Sequence, residues 1–103
     1  MRVGFLIERR NYYRLFGPIV ERALARGHET ECWHDLRQLR TGPNATKFPD
    51  TMPSFRNGQP RLRTFRDAAD LAAQLTADAP DVMVALARPA GAGEGLRMRW
   101  FGL

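Results

Sequence analysis

Two uninterrupted apolar runs, Val3-Gly4-Phe5-Leu6-Ile7 near the start and Val82-Met83-Val84-Ala85-Leu86-Ala87 near the end, constrain this 103-residue chain more than anything else in it. A strand with one wet face alternates apolar and polar residues. A strand that does not alternate is covered on both faces, as in parallel sheets flanked by helices. Runs of five and six residues are strand lengths, far short of the ~20 apolar residues that a bilayer-spanning helix needs. The two runs are therefore expected side by side and parallel at the centre of one sheet.

The intervening chain supports that expectation. Between Tyr12 and Arg26 the residues Leu15, Phe16, Ile19, Val20, Ala23 and Leu24 recur in pairs four apart, with Arg14, Glu21, Arg22 and Arg26 on the opposite side. That is the stripe of an amphipathic helix. Pro18 is best tolerated in a first turn, so the regular helix is expected to begin near Gly17, after a lead-in turn over Asn11 to Phe16. Gly27 supplies the left-handed position that closes it. His28 to His34 reads as a second strand with one face better covered. From about 35 to 60, Gly42, Pro43, Asn44, Pro49, Pro53, Asn57 and Gly58 mark a long loop. Arg61 to Phe65 reads as a third strand, Asp67 as the cap of a helix carrying Ala68, Leu71, Ala72 and Leu75, and Asp81 to Leu86 as a fourth strand. The order is β-α-β, loop, β-α-β. It predicts one α/β domain over 1–103, a Rossmann-like three-layer unit with a mostly parallel sheet of about four strands.

Composition narrows the function classes. The apolar share of 44% and charged share of 26% are those of a globular domain and argue against a disordered or fibrous chain. The five-residue run before Glu8 is shorter than the ~7–15-residue core of a signal peptide. Cys32, the single cysteine, can form no internal disulfide and suggests no structural zinc site. A cytoplasmic protein without metal or cofactor is the expectation. The net charge of +5 comes from arginines scattered from Arg2 to Arg99, with Lys47 the one lysine. Nucleic-acid binding calls for a clustered patch, so no specific nucleic-acid partner is expected.

Ligands of doubly wound sheets sit beyond the carboxyl ends of the strands. Those ends are expected at Glu8 to Asn11, His34 to Arg37 and Arg88 to Gly95. The first has no glycine between Glu8 and Phe16, which argues against a dinucleotide. It offers Arg9 and Arg10 as charged donors, Asn11 as an amide, and Tyr12 and Tyr13 as flat surfaces with a polar tip. Arg88 could reach a ligand held by that turn. Arg9, Arg10, Asn11, Tyr12 and Arg88 are therefore the candidate substrate-binding residues. Gly91-Ala92-Gly93-Glu94-Gly95 lacks the lysine and hydroxyl of a P-loop and reads as a connector. His28 serves the helix-to-strand turn. His34 and Asp35 would form an oriented base, but neighbours in a strand point to opposite faces, and no catalytic residue is assigned.

The opening, through Leu24-Ala25-Arg26-Gly27-His28-Glu29, resembles the amino-terminal lobe of GT-B glycosyltransferases, and Pro80-Asp81-Val82 is similar to a later strand opening in those enzymes. The resemblance covers about a third of the chain well and another tenth loosely. It implies an acceptor-side lobe of a transferase that moves a sugar, or a polyol phosphate, from a nucleotide-activated donor. The donor would be held by a carboxyl-terminal lobe absent from this chain, which would be inactive alone. Members of the class often carry a glycine-rich turn or a catalytic histidine where this chain has Arg9-Arg10-Asn11. The run Arg97 to Leu103, rich in large apolar residues with nothing following, suggests an interrupted chain. Peripheral membrane association stays open. The alternative expectation is a small Rossmann-like binding module for a phosphorylated ligand or a protein partner.

Overall fold

A computed structural model of the chain describes residues 1–38, 51–86 and 98–102. Strand β1 (Arg2–Ile7) leads through a 3-10 turn (Arg10–Tyr12) into helix α1 (Tyr13–Ala25), then β2 (Glu29–Asp35) and a second 3-10 turn (Leu36–Gln38). After the second segment begins come β3 (Arg61–Phe65), α2 (Ala68–Ala77), β4 (Val82–Ala85) and β5 (Arg99–Gly102). The five strands form one all-parallel sheet in the order β3-β2-β1-β4-β5. The fold is α/β and consistent with a Rossmann-like unit.

The two apolar runs are neighbours as expected. Val3 pairs with Val82 and Phe5 with Val84, in parallel. On one face of the sheet Val3, Phe5, Ile7, Cys32 and Val84 pack with Phe16, Val20 and Ala23 of α1. On the other face Leu6, Trp33, Phe65, Met83 and Ala85 pack with Leu71 and Leu75 of α2. Helices on opposite faces are what right-handed crossovers dictate when the chain winds from β1 to β2 and later back to β4. Gly4 allows the second layer to close. A Cβ there would lie 2.9 Å from Met83 Sδ and 3.1 Å from the Pro80 ring.

Four features differ from the sequence reading. The sheet has five strands rather than about four. The extra one, β5, lies in the run read as an interrupted end, and its Trp100 packs against the α2-side core. Helix α1 starts at Tyr13, not near Gly17, with Pro18 inside it. Thr30 to Asp35 of β2 are buried on both faces, because α1 covers one and α2 the other. Within the predicted loop, Met52 and Phe55 pack onto the α1-side core, while residues 39–50 lie outside the described residues.

Local bonds set the remaining boundaries. Gly27 takes φ +78°; its N–H donates to the Leu24 carbonyl (3.0 Å) and the His28 N–H to that of Ala23 (3.1 Å). This is a Schellman closure. The Asp67 carboxylate accepts the Asp70 N–H at 2.8 Å and starts α2. At the amino edge of the sheet the Arg2 guanidinium donates to Glu31 (2.6 Å) and Asp78 (2.7 Å). Glu31 also accepts the Trp33 indole N–H at 3.1 Å, and Arg63 stacks 4.2 Å above the Trp33 ring. Buried Glu31 is thus fully partnered, as a buried charge must be. This lock fixes the sheet at the end opposite the candidate site.

Candidate functional site

The chain leaves β1 at Ile7, bends through Glu8 and Arg9, and winds at once into helix. Arg9 is extended (φ −142°, ψ 149°), and its carbonyl accepts the Tyr12 N–H at 3.0 Å. The tight 3-10 turn that follows leaves Arg10 and Asn11 exposed. Together with Tyr13 and Arg14 of the first turn of α1, and Thr51, Met52 and Pro53 from the β2–β3 connection, they line an open cleft of about 680 Å³. It stands at the carboxyl end of the central strand, where doubly wound sheets hold ligands.

The two tyrosines of the turn both pack on the α1-side core, and Tyr13 also lines the cleft. Tyr12 meets Phe16 edge-on (centroids 6.1 Å apart, 72° between planes) and does not line the cleft. Tyr13 does. Its ring stands edge-on to His34 at 5.6 Å and tilted to Phe55 at 6.3 Å, and its hydroxyl shares a hydrogen bond with His34 Nε2. Burial, with Cys32 beside it, raises the Tyr13 phenol well above the ordinary tyrosine range. The phenol therefore stays neutral and anchors the ring that forms part of the cleft wall.

His34 and Asp35 point to opposite faces and form no pair. His34 faces α1, whereas buried Asp35 takes a bidentate grip from Arg37, with Nε to Oδ1 at 3.0 Å and Nη2 to Oδ2 at 2.7 Å. Glu8 lies near that pair. Burial, then the charge of Asp35, holds its carboxyl above the usual range, opposed by Arg37 and Arg9.

Of the residues singled out from sequence, Arg10 and Asn11 line the cleft; Arg9 is exposed beside it and Tyr12 is turned inward. Arg88 and the Gly91–Gly95 segment lie outside the described residues. Sequence reasoning named Tyr13 as a flat surface of the turn without making it a candidate binding residue, and it missed Arg14 and Thr51 to Pro53. Arg14 was read only as part of the outer face of the helix, and the segment from Thr51 reaches the cleft through tertiary packing. Among the described residues no group of histidine, cysteine, aspartate and glutamate could hold a metal ion, and no helix is long and apolar enough to cross a membrane. Compared with known proteins, the chain matches no family model, no curated protein and no solved structure.

Proposed function

We propose that this chain is the acceptor-side lobe of a GT-B-type transferase, a cytoplasmic protein that holds the acceptor while a second lobe holds the nucleotide-activated donor. The observation that carries the reading is the cleft of about 680 Å³ walled by Arg10, Asn11, Tyr13 and Arg14. Its volume falls in the ~300–1,000 Å³ range of small-molecule sites. An amide, an aromatic face and guanidinium groups are the contacts a hydroxyl-rich acceptor takes. The sequence phrase Leu24 to Glu29, which closes α1 and opens β2, adds the likeness to that class of enzymes. No catalytic base is assigned, since His34 is wholly buried against Tyr13.

The test is an amide chemical-shift titration of the labelled chain with a panel of sugars and polyols and, separately, with nucleotide sugars. Acceptor-type compounds are expected to move the Asn11, Tyr13 and Thr51 amides, and nucleotide sugars to leave them in place. Perturbations confined to other surfaces would refute the assignment.

A further inference from the structure

We infer that the ligand of this cleft is a phosphomonoester of a polyhydroxyl compound, with its phosphoryl group seated between Arg10 and Arg14. This rests on the reading of the cleft as the acceptor site and narrows what that site accepts. Among the described residues, two guanidinium groups line the cleft and no carboxylate does. The arginines that hold the fold together are engaged: Arg2 with Glu31 and Asp78, Arg37 with Asp35, Arg63 with Asp78, Arg66 with Asp70. Among the described residues, Arg10 and Arg14 bond to no acidic group. Other exposed arginines are also unpaired; what sets these two apart is that they share one cavity.

The cleft makes them a pair. Arg10 in the 3-10 turn and Arg14 in the first turn of α1 both line it, so both guanidinium groups are placed to reach one anion held there. Like charges in one cleft repel, and here no acidic residue stands in the first turn of α1 to relieve them. A dianion would. Guanidinium groups match phosphoryl oxygens in bidentate geometry, which neutral hydroxyls cannot exploit as fully. The other described lining residues, Asn11, Tyr13, Thr51, Met52 and Pro53, carry no charge and suit the hydroxylated body of the ligand.

The experiment titrates the labelled chain with glycerol phosphate, inorganic phosphate, methyl glucoside and uridine diphosphate, repeated on R10Q, R14Q and the neighbouring control R9Q. Arg10 and Arg14 are exposed and bond to no acidic group among the described residues, so both variants are expected to keep the wild-type melting temperature. Glycerol phosphate is expected to move the Asn11 and Tyr13 amides and to bind roughly tenfold or more weakly to R10Q and R14Q, the loss typical of one charged hydrogen-bonded contact. R9Q should stay within about twofold, as a residue outside the cleft should. Weaker binding of inorganic phosphate than of the ester supports the polyhydroxyl body. Tighter binding of uridine diphosphate at the same amides overturns it in favour of a nucleotide. If methyl glucoside binds in the cleft and the phosphate esters do not, the phosphoryl assignment fails while the acceptor reading survives. If nothing binds there, both fail. Equal weakening by R9Q, or none by R10Q and R14Q, would also overturn the assignment, because diffuse surface charge would then explain the binding.

Discussion

Tyr12 and Tyr13 separate at the first turn of α1, and Tyr13 draws Cys32 and His34 into one buried group. Burial pushes the Cys32 thiol up to about 11, against 9.0 for a free thiol, with the Tyr13 hydrogen bond pulling the other way. The unfolded chain therefore loses this proton first. The stability tied to the thiol is complete below pH ~9 and falls as pH rises through the folded value, by about 2–3 kcal/mol in all. Tyr13, raised from 10.0, adds the same sign at higher pH. Urea midpoints at about pH 8 and pH 9.5 should therefore drop on the alkaline side, and Cys32→Val should flatten the drop. An unchanged slope in that variant would show that the thiol is not the cause. None of this could be read from residue order: adjacent tyrosines look alike, and only the packing of Phe16 beside Tyr12 and of His34 and Phe55 beside Tyr13 tells them apart.

Helix α1 carries two residues that weaken helices, Gly17 and Pro18. Pro18 leaves the Arg14 carbonyl without its usual amide partner, a cost of ~3 kcal/mol in a helix interior. Burial of Phe16, worth ~1.5–3 kcal/mol, and its contacts with Phe5 and Tyr12, at ~0.5–1.5 kcal/mol each, offset it. That is why the helix begins before Gly17, where local rules would not start it. A methyl group at Gly17 would meet no atom within 4 Å, so Gly17→Ala is expected to raise stability by about 0.5–1 kcal/mol. Asp67→Ala, which removes the α2 cap, should lower it by about 1 kcal/mol. Chemical denaturation measures both; a loss at Gly17 would mean that the helix needs its flexibility there. Element ends governed by local bonds, such as Gly27 and Asp67, were legible in the sequence. The start of α1 and the double burial of β2 were not, because distant partners impose them.

Across the molecule, the parallel sheet and its paired central strands followed from two runs of apolar residues, whereas β5 escaped notice. Four residues, Arg99–Gly102, carry too little pattern to announce a strand, and their partner β4 supplies the register. Edge strands bond on one side only, so hydrogen exchange should be slowest in β1 and β2 and roughly tenfold or more faster in β3 and β5. Uniform exchange rates would contradict that order. The pairing of Val3 with Val82 also has a temporal consequence. At the ~5–20 residues per second typical of ribosomes, about 4–16 s pass between synthesis of the two partners. For that interval the edge of the nascent β1 that β4 will take has no partner, and the newborn polypeptide is open there to pairing with a stranger.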